Sequence, residues 1–239
     1  MSVSSRNASF HDGVLVSVLW SPFKLAFAMV LGAVAVLVLA WSIDELFVFK
    51  VWPQGIDRLR CILRDDLSSG IAFARRQGDS ARAITGAANV LYAVIFETSG
   101  VDDMGRHFAD SLPLSIPDTV LRRAYVAHRE AIEVSMLGTQ LVGIRIAILT
   151  QFIPLLLALY AVGASDGLSE RLIRTACGGC ESANLYHRAK YLQIAVLGLG
   201  ALLVLCWPGE IAWGRSAAAL ALAICALARM QWTYYKKHV

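Results

Sequence analysis

The chain has 239 residues, 57% of them hydrophobic, with a mean hydropathy of +0.57. A soluble domain of this length does not normally carry so much apolar surface, so the composition points to a membrane protein. Lys and Arg (22) outnumber Asp and Glu (18) by a formal charge of +4, and the five cysteines imply no disulfide framework; no direct nucleic-acid binding is expected.

The amino-terminal segment, residues 1–24, carries Arg6 and Lys24. It leads into Leu25–Ile43, an uncharged run of about 19 residues, long enough to cross a hydrocarbon core of roughly 30 Å as helix. Val38-Leu39-Ala40 resembles a signal-peptide cleavage site. The segment before it is too long for an n-region, however, the run is span-length, and Trp20, Trp41 and Trp52 suit interfacial anchors, so a retained transmembrane helix is expected.

Residues 44–145 read as a helical region of roughly 100 residues outside the membrane. Ile56, Leu59, Leu63, Leu67, Ile71 and Ala74 recur at spacings of three and four, which makes an amphipathic helix to about Gln77 that Gly78 breaks. Ser80 is placed to cap a second helix whose stripe is Ile84, Ala88, Leu91 and Ile95, ending near Ser99-Gly100. Its uncharged core, residues 83–96, suits burial in a helical domain and an interfacial position equally. A polar stretch from Val101 to Ser115 follows, and Pro117 then suits the first turn of a third helix, with Asp118 near its positive end. No turn cluster separates Asp118 from Pro154. A single long helix is therefore expected to rise into the second apolar run, Ile146–Ala164, with Glu130, Glu133 and Arg145 marking its wet portion. Gly138 and Gly143 suit a bend or a close helix approach, and Pro154 a kink.

Residues 165–190 form the longest polar connection among the closely spaced apolar runs. Cys177 and Cys180 make a C-x-x-C here, with His187 farther on. A zinc site would need Glu181 or His238 as a fourth ligand, and nothing in the spacing requires one. Without a thioredoxin-like context a redox role is not expected either, so the two cysteines read as small residues flanking the Gly178-Gly179 turn, and no metal or cofactor is expected. Beyond lie the runs 191–207 and 211–228, joined by a short turn (208–215) and followed by the tail 229–239. Arg215 interrupts the fourth run near one end, where a long side chain snorkels to the headgroups; Arg145, at the start of the second, reads the same way. Cys61 stands alone outside, Cys206 and Cys225 read as packing residues, and Gly214, Ala218 and Ala221 supply small residues through which helices, or a second copy of the chain, can approach.

Orientation follows from the short connections. Arg6 and Lys24, the set Arg171, Arg174, Arg188 and Lys190, and the set Arg229, Lys236 and Lys237 fall on one side, while the turn near Pro208 carries only Arg215. The positive-inside rule then sends both termini to the cytoplasm and residues 44–145 outside, into the periplasm of a bacterium. The expected fold is an all-α polytopic membrane protein with four transmembrane helices and a helical periplasmic insertion between the first and second. The chain carries no phosphate loop, no H-E-x-x-H and no G-x-S-x-G, and it is not expected to be an enzyme. The four span cores contain no Asp or Glu, which an ion-coupled carrier would generally need at membrane depth.

The 166–190 segment also carries a resemblance. Asp166-Gly167-Leu168, the basic stretch with Arg171 and Arg174, the pair Gly178-Gly179, then Glu181-Ser182 and Tyr186-His187-Arg188-Ala189-Lys190 resemble a run in the integrating conjugative element membrane proteins, which are encoded beside the coupling ATPase of conjugative type IV secretion systems. Gly143-Ile144-Arg145-Ile146-Ala147 and, weakly, Trp52-Pro53-Gln54-Gly55 extend it; Cys180 stands where that family commonly has Arg. The resemblance implies an inner-membrane accessory protein that holds or regulates the coupling ATPase feeding DNA to the channel. On a helix beginning near Glu181 or Ser182, Tyr186 and Lys190 share a face with His187 alongside. Gly178, Gly179, Glu181, Ser182, Tyr186, His187, Arg188 and Lys190 are therefore the expected partner-binding residues. If Arg171 and Arg174 act only as charges, Lys should replace them silently. The alternative reading is a small membrane sensor or transporter with a periplasmic ligand-binding helical module; gene neighbours separate the two.

Overall fold

The computed structural model describes residues 4–76, 81–110, 116–177 and 183–235. These are all-α, with no strand among the described residues. The chain divides into two units. The first, residues 1–39, holds most of α1 (Ser4–Leu46), where Leu25, Phe27, Met29 and Val30 are exposed.

The second unit begins at Ala40 with the end of α1 and a π-helical turn, Phe47–Val51, closed by the Trp52 N–H on the Phe47 carbonyl at 2.7 Å. It continues through α2 (Ile56–Arg76), α3 (Ala81–Tyr92) with a second π turn (Ala93–Glu97), α4 (Val101–Asp110), α5 (Ile116–Ala127), α6 (Arg129–Ala176), α7 (Ala183–Cys206) and α8 (Trp213–Thr233). Four helices are long and apolar enough to cross a membrane: Lys24–Val51, Arg129–Ala176, Asn184–Cys206 and Trp213–Thr233. They cover the four apolar runs except for Trp207, Ile211 and Ala212. The pair Arg82–Glu97 and Val101–Phe108, bent by 70°, passes the same test when taken together.

The unit is built around α6. Along α2 the contacts advance in step with α6, Asp66 meeting Arg145 and Phe73 meeting Phe152 at 5.3 Å between ring centroids, so the two helices run parallel. Helix α3 returns the other way, with Ala88 against Gly143 and Tyr92 near Met136. A side chain at Gly143 would put its Cβ 2.7 Å from the Ala88 Cα, so this glycine lets the two backbones touch. Ile84, Ile144, Ile148, Phe152 and Trp213 form the larger core; Val48, Leu59, Ile62, Val134 and Leu141 form a second near the start of α6. Each side chain of that second cluster is worth about 1.5–3 kcal/mol against exposure to water.

Several expectations change. Residues 83–96 pack against α6, with Ile84, Ala88 and Phe96 buried. The polar stretch after Val101 contains a helix, α4, because Asp102 and Asp103 favour its amino-terminal dipole and Arg106 pairs with Asp102 at 2.6 Å one turn on. The helix from Asp118 is interrupted at His128, whose backbone leaves the helical region (φ −110°, ψ 12°) between α5 and α6. The segment expected as a loop over 165–190 is helical to Ala176 and again from Ala183. Ala221 is buried within the chain, so it is not free for another copy. Ser80 and Gln77 lie outside the described residues. Arg145 is not snorkelling and not wet: it is 1% exposed.

Candidate functional site

Two constellations of polar side chains stand out, at opposite ends of the α7–α8 hairpin. The first lies where the end of α6, the start of α7 and the end of α8 meet. Helices α6 and α8 run parallel and very close, since a Cβ at Gly163 would overlap the Cys225 carbonyl and one at Gly167 would sit 2.5 Å from that of Arg229. That closeness sets the ion network beyond it. Arg229 pairs with Asp166 at 2.9 Å and with Glu170 at 3.1 Å, and Glu170 also accepts from Arg174 at 3.0 Å. These pairs are exposed enough that each is worth little by itself.

Aromatic rings complete the collar. The Trp232 indole N–H donates to the Tyr160 hydroxyl at 3.0 Å. Tyr235 packs against Trp232 and Tyr186, both at 5.5 Å between centroids, with the Tyr186 ring meeting it edge-on. The Arg171 guanidinium lies over the Tyr235 ring at 5.5 Å, and that of Arg174 over the Tyr234 ring at 4.6 Å. Cation–π contacts of this kind are worth about 0.5–1 kcal/mol where exposed and hold the guanidinium plane in one orientation.

Of the residues expected to bind a partner, Gly178, Gly179, Glu181 and Ser182 lie outside the described residues. Tyr186 is half-buried and turned to Tyr235, with the His187 ring 5.2 Å away, while His187, Arg188 and Lys190 are exposed and Ala189 is buried. Tyr186 and Lys190 lie four residues apart on α7, the first half-buried and the second exposed. Trp232, Tyr234, Tyr235 and Arg229 were missed. The available signal was the Trp-Thr-Tyr-Tyr run directly after the fourth apolar segment and before Lys236-Lys237, the order expected of an interfacial aromatic belt. The antiparallel hairpin brings that run back beside Tyr186.

The second constellation is buried. Arg145 directs Nε and an η nitrogen to Asp66 Oδ2, both at 2.9 Å, and its remaining donors to the carbonyls of Val204 (3.2 Å), Leu205 (3.4 Å), Trp207 (2.6 Å) and Gly209 (2.9 Å). It therefore caps the carboxyl-terminal end of α7, satisfying carbonyls that the helix leaves without partners. Asp66, 1% exposed, also accepts from the Ile211 N–H at 3.4 Å. Burial pushes the Asp66 carboxyl above its ordinary range, and the Arg145 charge opposes that shift. One ion pair thus ties α2, α6 and the turn before α8 together. Among the described residues, no group of three or more His, Cys, Asp or Glu side chains is arranged to hold a metal ion; Cys180 lies outside them.

A protein-family model described as IncC plasmid conjugative DNA transfer protein DtrJ-like matches residues 51–230, which run from the end of the first π turn through most of α8. No curated protein and no solved structure matches the chain.

Proposed function

This chain belongs to the DtrJ-like family of IncC plasmid conjugative DNA transfer proteins and is involved in conjugative DNA transfer; from that premise we propose that it is a four-span inner-membrane accessory protein that docks the coupling ATPase of a type IV secretion system. The expected resemblance to membrane proteins of integrating conjugative elements shares conjugation with this family; association with such an element stays part of the proposal. Both termini and the 165–190 connection face the cytoplasm, and α2–α5 face the periplasm. The four long apolar helices, with Leu157, Leu197, Leu203 and Leu222 among their exposed residues, support the spanning part. The protein has no catalytic role of its own.

The observation that carries the docking reading is the face where His187, Arg188 and Lys190 stand exposed beside guanidiniums held on tyrosine rings. Fixed Arg and aromatic side chains are what interface centres favour. Two measurements test it. Phosphatase and fluorescent reporter fusions after Gly100, after Gly179 and at Val239 should read periplasm, cytoplasm and cytoplasm; an active phosphatase at Gly179 would overturn the topology. Replacing His187, Arg188 and Lys190 by Ala should abolish transfer and co-purification with the coupling ATPase while insertion persists, and normal transfer would overturn the docking face. Tyr186 is tested separately, because its ring also supports Tyr235.

A further inference from the structure

Building on the spanning topology proposed above, we propose that the tip of the α2–α3 hairpin binds anionic phospholipid, with Arg75, Arg76 and Arg82 on headgroup phosphates of the outer leaflet. The depth of the tip follows from register. Asp66 meets Arg145 and Phe73 meets Phe152, a constant offset of 79 residues between α2 and α6. The same offset carries Arg76, the last residue of α2, level with residue 155 of α6, about nine residues and roughly 13 Å beyond Ile146, where the second apolar run starts. Helix α3 starts at a similar depth, since an added Cβ at Gly70 would meet both Ile148 and Ile84, and Ala74, Ile84, Phe152 and Trp213 share one core. Helix α8 begins there too: Trp213, its first residue, packs edge-on to Phe152 at 6.2 Å between centroids, and Arg215 just beyond is exposed. The hairpin therefore stands beside the mouth of the spans rather than clear of the membrane.

The charges at this depth have no partner of their own. Arg75, Arg76 and Arg82 are all exposed. Arg58, Arg60 and Arg145, higher on α2 and α6, each hold an acid, whereas no ion pair involves the three tip residues among the described residues. Between Arg76 and Arg82 the one charged residue is Asp79, which lies outside the described residues, so the tip carries three cations against one acid. A phosphate accepts two N–H donors from one guanidinium, and phosphates lie where an apolar run meets water. Around the same level α6 exposes Ile153 and Leu157, surface that acyl chains cover. A basic tip over lipid-facing aliphatic side chains matches a phospholipid, phosphate above acyl chain, rather than an acidic protein segment.

The test uses the full chain in nanodiscs of phosphatidylcholine with a minor share of phosphatidylglycerol, carrying a photocrosslinking amino acid in place of the exposed Ala83. Each basic residue beside an anionic surface is worth about a fivefold preference, so phosphatidylglycerol should be enriched among the lipid adducts well beyond its share of the bilayer. Replacing Arg75, Arg76 and Arg82 together by Gln should return the adducts to bilayer composition, and replacing all three by Lys should keep most of the preference. Adducts at bilayer composition in the native chain, no lipid adduct at all, or a preference that survives the Gln variant would each overturn the proposal, as would adducts to protein alone in native membranes. The three side chains make no ion pair within the fold, so the variants are expected to fold, and lipid adducts in the Gln variant show that its tip is still seated. Both leaflets of a nanodisc have one composition, so the preference is read whichever way the chain inserts. The reporter after Gly100 separately decides the leaflet, and a cytoplasmic reading there would overturn the assignment to the outer one.

Discussion

Arg145→Met removes the charge while keeping an apolar side chain at the start of the second apolar run. Read from sequence alone, a snorkelling Arg at that position is nearly dispensable, and the change should cost almost nothing. In the structure the loss strands Asp66, whose carboxylate is as buried as its partner, and strips donors from the carbonyls of Trp207 and Gly209. Breaking a buried pair by removing one partner costs about 3–5 kcal/mol. For a chain of this size that corresponds to a fall in Tm of roughly 6–20 °C. The deficit should depend on pH with a definite sign. Burial already raises the Asp66 carboxyl, and without the opposing guanidinium its folded pKa rises further above the unfolded value. Stability from that group is then present below the unfolded pKa and lost as pH rises through the folded one, so the variant should lose more at pH 8 than at about pH 5. Thermal unfolding in detergent or nanodiscs at the two pH values measures both effects. A variant within about 1 kcal/mol of the native protein would refute the cap and restore the snorkelling reading.

The apolar runs were legible because spanning a hydrocarbon layer demands an unbroken stretch that no soluble helix needs, and each of the four overlaps one long helix over nearly its whole length. The face of Ile84 and Ala88 and the close approach at Gly143 were legible for a related reason: periodicity and small size report packing without naming the partner. Arg145 was not. A charge at the edge of an apolar run has the same sequence signature whether it reaches out to headgroups or in to an acid, and the acid here is 79 positions away on α2. Helix α4 was hidden because its support is local charge pairing at Asp102 and Arg106, with little apolar periodicity to reveal it. The collar around Tyr186 was half-hidden, since its aromatic members come from the far end of the chain and meet Tyr186 only when α8 folds back along α7. Local periodicity thus reports most of the helices, whereas the partners of Arg145 and Tyr186 come only from tertiary contact.

Gly163→Leu should separate α6 from α8, because the new Cβ would overlap the Cys225 carbonyl and backbone cannot step aside; a cysteine pair engineered across these helices should crosslink several-fold less, and unchanged crosslinking would count against the close contact. Arg60→Ala, by contrast, removes an exposed Arg bonded to Asp57 and Glu133; it should leave Tm within about 2 °C, as surface pairs do. Arg174→Lys is the sharpest test of the collar. A lysine keeps the charge and can still pair with Glu170, but it lacks the flat guanidinium that lies over Tyr234 at 4.6 Å while donating to Glu170 at 3.0 Å. If Arg174 served only as a positive charge fixing orientation, Lys would preserve topology, transfer and ATPase association alike. Because the plane of the guanidinium is held between a ring and a carboxylate, Arg174→Lys should instead keep reporter-defined topology and lower transfer about tenfold, a loss of roughly 1.4 kcal/mol in partner affinity; transfer equal to the native chain would reduce this residue to its charge.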